Sequence, residues 1–284
     1  MLKQKDLSIV IPSLGGTGLS KTLNYIHKNK IIPLETIICI PKVYKKKLLL
    51  PKSINPKIIY TNVKGQVHQR LIGFKNAKGK YVLQLDDDIL INYKSLSKLL
   101  KKIKNNEKIS ISPLLVDKKI KYSNFDVKPK NLFFKFYHYL LNGSEGFRPG
   151  AISKAGIPYM FEKKKNLHEV EWLPGGCILH SKKNLIKKNY FNFKYKKAYC
   201  EDLIHSYFLK KKNIKLFVDT SSKCLFNSFE GFKSISFWNS LGIIFEDFKF
   251  RYYFVRLAKK NIFRMIFFYL LLFLRLNFAL FKKI

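Results

Sequence analysis

Residues 80–88, Lys80-Tyr81-Val82-Leu83-Gln84-Leu85-Asp86-Asp87-Asp88, constrain this chain more than any other stretch. An apolar run of strand length stops abruptly at three consecutive carboxylates. Strands buried on both faces of an α/β sheet read as near-continuous apolar runs, and such sheets take ligands beyond the carboxyl ends of their strands. In an extended backbone, Asp86 and Asp88 point the same way, ~6–7 Å apart, with Asp87 pointing oppositely. At an effective dielectric of ~20, two such charges repel by ~2–3 kcal/mol. A divalent cation would turn that repulsion into a site, because hard cations prefer carboxylate oxygens. A solvated acidic turn fits the same residues equally well.

A length of 284 residues suits one large domain, or one domain with an appendage. With 47% hydrophobic and 15% aromatic residues, the chain has enough apolar surface to exclude general disorder. Its 55 Lys and Arg against 18 Asp and Glu give a net charge of +37. That favours anionic partners: nucleic acid, acidic lipid headgroups or phosphorylated substrates. Lysine is abundant throughout, so much of the charge also reads as a solvated surface. There is no zinc-finger spacing, no aromatic RNP-like strand, and no confinement of the basic residues to one helix, so no nucleic-acid partner is expected. Cys39, Cys177, Cys200 and Cys224 form no CxxC pair and read as reduced thiols of a cytoplasmic protein. The first residues lead straight into a strand pattern, unlike a signal peptide.

Alternation of strands and helices organises the first half. Residues 7–13 read as a buried strand ended by Pro12, followed by the loop Leu14-Gly15-Gly16-Thr17-Gly18 and a helix carrying Leu19, Leu23 and Ile26. That loop lacks both GxGxxG spacing and a GK[ST] lysine, and reads as a simple turn. Strands follow at residues 35–40 and 57–60, then a helix over 65–77 with Val67, Leu71 and Phe74 on one side. The acidic strand comes next, then a helix carrying Leu96, Leu99, Leu100 and Ile103. This order implies right-handed βαβ units and a mostly parallel sheet. The second half is less regular. It has a strand at 109–115, an aromatic helix or loop at 132–141, a short strand at 170–173 closed by Pro174-Gly175-Gly176, a helix at 201–212 and a strand at 214–218. His27, His68, His138, His168, His180 and His205 show no metal-binding spacing and read as surface or packing residues.

Glu201-Asp202 opens its helix after Ala198-Tyr199-Cys200, where the macrodipole favours carboxylates, so taken alone the pair reads as an N-terminal cap. The ordered set of segments adds a second reading. Ser8-Ile9-Val10-Ile11-Pro12-Ser13, residues 69–82 from Gln69-Arg70 onward, Leu85-Asp86-Asp87-Asp88, Leu173-Pro174-Gly175-Gly176-Cys177 and Glu201-Asp202-Leu203 together resemble the family 2 glycosyltransferases, over residues 7–226. The resemblance implies an α/β fold of the GT-A type: a mostly parallel central sheet flanked by helices, with a Rossmann-like nucleotide-binding half, an acceptor half and a C-terminal amphipathic helical extension. It also implies sugar transfer, with inversion, from a nucleotide-diphosphate sugar (UDP-, GDP- or dTDP-linked) to a saccharide or lipid-linked acceptor. On that resemblance Asp86 and Asp88 form a DxD pair for Mg²⁺ or Mn²⁺, with Asp86 and Asp87 also facing the donor. Pro12 and Ser13 lie at the base and Arg70 near the donor sugar or phosphates. Asp202 is the general base, positioned by Glu201, while Trp172, Gly175 and Gly176 shape the acceptor side, the indole offering a face to a sugar ring. Two departures stand out. Ile40-Pro41-Lys42 stands where relatives carry an acid that reads the base, and Asn227 stands near where relatives supply a late histidine. These departures also suit a weakened relative acting as a membrane scaffold or sugar-binding protein.

The expected boundary falls at 230/231, between a catalytic domain (1–230) and a basic, aromatic tail (231–284). Residues 265–274 are ten uncharged residues, ~15 Å as a helix and short of the ~30 Å a membrane span needs. At 100° per residue, Lys260, Arg264, Arg275 and Lys282 fall within ~60° of one another. The tail therefore reads as an in-plane helix on an anionic membrane surface, cations toward lipid phosphates, although a helix buried on the catalytic domain fits too. Peripheral attachment to the cytoplasmic membrane face, in cell-envelope polysaccharide synthesis, follows as the expected setting.

Overall fold

The structure, a computed structural model, describes residues 4–51, 54–117, 131–159, 166–190, 199–226 and 237–281. In chain order its first elements are β1 (Gln4–Pro12), α1 (Thr17–Lys28), β2 (Pro33–Pro41), β3 (Lys57–Thr61), α2 (Gln66–Asn76), β4 (Tyr81–Leu85), β5 (Ile89–Ile91), α3 (Tyr93–Asn105) and β6 (Ile109–Asp117). There follow α4 (Leu132–Asn142), β7 (Leu167–Val170), β8 (Cys177–Ser181), α5 (Glu201–Lys211), β9 (Lys215–Phe226), α6 (Phe237–Leu257) and α7 (Ile262–Phe281).

They divide into two compact units: Met1–Ser123 with Lys163–Ser228, and Asn124–Glu162 with Phe229–Ile284. The first unit holds the sheet, ordered β3-β2-β1-β4-β8-β6-β9-β5, with β7 paired to β9. The sheet is mixed and mostly parallel: β3, β2, β1 and β4 run in parallel, as do β6 and β9. β8 runs antiparallel between β4 and β6, while β5 and β7 run antiparallel against β9.

Every residue of β4 is buried, as a strand covered on both faces requires. On one face Ile9, Ile11, Leu83, Leu85 and Leu179 pack with Leu19 and Leu23 of α1 and Leu96, Leu99 and Ile103 of α3. On the other, Val10, Ile37, Cys39 and Val82 pack with Phe74 of α2. A Cβ at Gly73 would lie 2.2 Å from the Val10 Cγ1, so glycine lets α2 sit close on β1. The Asn92 side chain accepts from the Ser95 N–H at 2.8 Å and caps α3.

Two strands went unread in the sequence. β8 is five wholly buried residues, and the short strand expected at 170–173 instead ends at Val170. Its last residues run on into the Pro174-Gly175-Gly176 turn that leads to β8. β5 is only three residues, below the length at which periodicity speaks.

In the second unit, Val255, Met265 and Tyr269 form the core between α6 and α7. Arg251 binds Asp247 at 2.9 Å, the Tyr269 hydroxyl at 3.0 Å and the Gly156 carbonyl at 2.8 Å. Arg264 donates to the Tyr139 carbonyl at 2.9 Å and to that of Leu140, and Lys260 donates to the Ile152 carbonyl at 2.8 Å. These ties explain why residues 124–162 group with the C-terminal segment rather than with the sheet, where a single cut at 230/231 had placed them. They also bear on the expected cationic stripe. Two of its four members turn to backbone carbonyls of their own unit, and Lys282 lies outside the described residues. Among the described residues, no helix is long and apolar enough to cross a membrane.

Candidate active site

β1 and β4 are parallel neighbours, so Ser13 and Asp86, each just past a strand, emerge together at the carboxyl end of these strands. The Ser13 N–H donates to the Cys39 carbonyl at 3.0 Å, and the Gln69 amide holds the carbonyls of Ser13 and Cys39 at 2.8 and 2.6 Å. The Ser13 hydroxyl donates to Asp87, and Thr22 donates to the Asp87 carbonyl at 2.9 Å. Asp87 thus faces the β1–α1 loop. Pro12 is buried at the end of β1.

Asp86, Asp87 and Asp88 do not continue the strand. The Ile89 N–H donates to the Asp86 carbonyl at 3.2 Å, closing a turn, so the expected alternation of an extended backbone does not apply. The turn crowds the three carboxylates. Burial, then Asp86 and Asp87, push Asp88 up to about 6, and burial likewise raises Asp87 against the opposing Ser13 hydrogen bond.

Arg70 is the hub. Its Nη2 binds Asp86 Oδ1 at 2.7 Å and the Gly175 carbonyl at 3.2 Å, and its Nη1 binds Glu201 Oε1 at 2.6 Å. Gln66, one turn earlier on α2, also donates to Asp86 Oδ1, at 2.9 Å. Burial opposes the guanidinium charge, but Glu201 and Asp86 more than offset it and hold Arg70 above its ordinary value. Burial pushes Glu201 up while Arg70 pulls it down. Expected near the donor, Arg70 therefore has both terminal nitrogens committed within the protein, joining the acidic turn to the start of α5.

The Pro174-Gly175-Gly176 turn closes the site. Its Gly176 carbonyl accepts from the Asp86 N–H at 2.8 Å, and the Gln84 amide donates to the Gly175 carbonyl. A Cβ at Gly175 would lie 2.6 Å from Glu201 Oε1 and 3.5 Å from the Asp202 Cβ, so only glycine admits this approach. Asp202 is half-buried in the first turn of α5, its Oδ1 accepting from the Leu203 N–H at 2.9 Å. The helix starts from Cys200 in the left-handed conformation (φ 54°), which turns Glu201 inward. Trp172 departs from expectation: it is only 4% exposed, because the residues after β7 pack into the core, so it offers no ring face for a sugar. Asn227 lies outside the described residues.

Behind the hub sits a group that sequence reasoning missed. The buried Tyr190 hydroxyl meets His205 Nδ1 at 3.1 Å, and Ser110 meets His180 Nδ1 at 2.8 Å. Burial keeps both imidazoles neutral, His180 falling to about 3. The packing role expected of these histidines is what the contacts show. Tyr190 carried no local signal, whereas Gln66 could have been found from its i, i+4 spacing to Arg70. Arg70 Nε, Gln84 Oε1 and Glu201 Oε2 are buried without a hydrogen-bond partner, so the hub keeps polar capacity for water or a ligand.

Among the described residues, no group of three His, Cys, Asp or Glu side chains is placed to hold a metal ion. Asp86 already takes two donors on Oδ1, so a cation would rely on Asp88 and on Asp86 Oδ2, with its remaining ligands from outside the protein.

Residues 43–161 match the family model described as Glycosyl transferase family 2. Among solved structures, the chain is similar to GalNAc-T7 with UDP, GalNAc and Mn²⁺, at 16% identity and a TM-score of 0.54, covering 79% of this chain and 44% of that one. It also matches the mannosyltransferase PcManGT from Pyrobaculum calidifontis in complex with GDP-Man and Mn²⁺, at 12% identity and a TM-score of 0.46, covering 80% of this chain and 58% of that one. The chain thus spans less than two thirds of either protein. No curated protein sequence matches it significantly. Residues 43–161 are thus similar to the family 2 glycosyl transferases, and the mixed sheet flanked by helices shares the GT-A fold of GalNAc-T7.

Proposed function

We propose that this chain transfers a sugar, with inversion, from a nucleotide-diphosphate sugar to a saccharide or lipid-linked acceptor. The observation that carries the reading is the Arg70 hub, which ties Asp86 of the acidic turn to Glu201 of the ED pair and to the Gly175 carbonyl. Pro12 and Ser13, beside Asp87 at the carboxyl end of β1 and β4, are the side for a uridine, guanosine or thymidine base. Asp202 takes the proton of the acceptor hydroxyl. The oxygen then attacks the anomeric carbon from the face opposite the leaving diphosphate, and the carbon–oxygen bond to that diphosphate breaks. Glu201, held by Arg70, fixes the start of α5 and hence Asp202. Gly175, packed against Glu201, and Gly176, packed against Ile89 and near Asp86, shape the acceptor side.

Asp88, with Asp86 Oδ2, would hold Mg²⁺ or Mn²⁺, which supplies Lewis-acid neutralisation of the diphosphate. Crowding of three carboxylates supports that fit, since a cation relieves it. We place the protein peripherally on the cytoplasmic membrane face, in polysaccharide or glycolipid synthesis. Its net charge of +37 and the exposed rings of α4 and α7 support that setting.

The test is a panel of nucleotide sugars with and without Mg²⁺ or Mn²⁺, read by nucleotide release and thermal shift. One donor should be turned over, and Asp88→Asn and Asp202→Asn should each abolish turnover. Full activity in both variants would remove the site assignment. The lack of any nucleotide-dependent stabilisation would favour a weakened relative acting as a scaffold.

A further inference from the structure

We propose that α4, together with the outer stripe of α7, is the surface through which this chain enters an anionic bilayer. The inference rests on the membrane setting above and names the side chains that would create it.

α4 reads Leu132-Phe133-Phe134-Lys135-Phe136-Tyr137-His138-Tyr139 and onward, and only His138, Leu141 and Asn142 are buried. Leu132, Phe133, Phe136 and Tyr139 stand 82%, 72%, 58% and 53% exposed. Leu132, Phe136 and Tyr139 are spaced i, i+4, i+7 and share one face, the face on which a helix in water carries polar residues. Single exposed apolar residues need no explanation, but a contiguous row of rings does.

α7 repeats the pattern. Met265 and Tyr269 pack into the core, while Phe263, Ile266, Leu270 and Leu274 stand 84%, 40%, 57% and 51% exposed. At 100° per residue these four fall within ~80° of one another, so α7 has an inner apolar face and an outer one. Arg264 fixes the two helices to each other through the Tyr139 and Leu140 carbonyls.

Charge selects the occupant. On α6 the Lys249 ammonium lies 4.4 Å from the centre of the Phe245 ring and the Arg256 guanidinium 6.0 Å from that of Tyr252. These cations lie over rings of α6, the helix packed on the inner face of α7, and rings mixed with cations suit the boundary between headgroups and acyl chains. A second copy of a chain carrying +37 would be repelled, whereas an anionic surface is attracted. Lys260 and Arg264 are already engaged with carbonyls, so the rings, rather than the cationic stripe of the tail, would carry the insertion.

The experiment is sedimentation of the full chain with phosphatidylcholine vesicles, with and without phosphatidylglycerol. The chain should pellet with the anionic vesicles. Phe133→Ser with Phe136→Ser should lower that partition by about tenfold or more, the expected loss for removing two inserted rings. Lys260→Gln should lower it far less. A Phe133→Trp variant should shift its emission to the blue on anionic vesicles, a readout that a mere change in stability does not produce. Undiminished pelleting of the double serine variant, or an unshifted emission, overturns the inference while leaving the membrane setting standing. No pelleting at all overturns both, and leaves sugar transfer to a soluble acceptor as a separate measurement. A dimer that the serine variant dissociates would assign the surface to a second copy instead.

Discussion

Arg70 and Glu201 of the sheet unit are charged and only 3% and 7% exposed, whereas Phe133 and Phe263 of the helical unit are apolar and 72% and 84% exposed. The two regions break the usual partition of side chains in opposite directions. A buried ion pair gains over a hydrophobic pair of similar volume little or nothing in stability, so Arg70 and Glu201 are better understood as geometry than as glue. Exposed rings gain nothing in water either. In both regions the departure lies where the chain is proposed to meet a ligand, an acceptor in one and a bilayer in the other.

The largest effect that would sharpen this contrast is chemical. Asp202→Asn should lower single-turnover transfer by ~10²–10⁴-fold, the range of a general base, with the thermal midpoint unchanged. A matching fall in stability would make Asp202 structural instead. Next comes Arg70→Ala, which leaves Glu201 buried without its partner and should cost ~3–5 kcal/mol in denaturant unfolding. A cost below ~1 kcal/mol would show that water already satisfies the carboxylate and would break the comparison.

Gly175→Ala brings a methyl group to within 2.6 Å of Glu201 Oε1 and should cost ~1–3 kcal/mol. In a Glu201→Ala background the same substitution should cost measurably less, and equal costs would place the clash elsewhere.

Asp88 sets a pH dependence. Its folded value of about 6 lies above the ordinary 3.8, so the folded state holds the proton more tightly than the unfolded one. Stability therefore falls as pH rises from near 4 to near 6, and the full penalty persists above that. Asp88→Asn should raise stability at neutral pH by ~1–2 kcal/mol, after discounting for partial exposure, and the gain should vanish below about pH 4. A gain that is the same at every pH would assign it to packing. The smallest effect belongs to the helical unit: Phe133→Ser should change unfolding free energy by no more than ~0.5 kcal/mol, because its ring touches little.

The alternating strands and helices of the first half were legible because buried strands and half-buried helices leave different apolar periods. β4 is buried throughout and α3 buries Leu96, Leu99, Leu100 and Ile103, the residues its pattern named. β8 was not legible. Only three of its five residues are apolar, a run that resembles any short buried segment, and its place between β4 and β6 depends on pairings far away in sequence. The tail shows the same limit: its helix and its cations could be read, but not that Lys260 and Arg264 turn toward carbonyls of residues 139–152.

Local sequence by itself determined the α/β order, the acidic end of β4 and the carboxylates at the start of α5, since strand length, apolar period and helix-start chemistry act over a few residues. Only the tertiary structure decided that Asp86-Asp87-Asp88 is a turn, that Trp172 is buried, and that Arg70 joins Asp86 to a glutamate 131 residues further on than itself. A single side chain that bridges distant segments leaves no period behind it. Its partners are chosen by which backbones the folded sheet brings together and by how costly an unpaired buried charge would be.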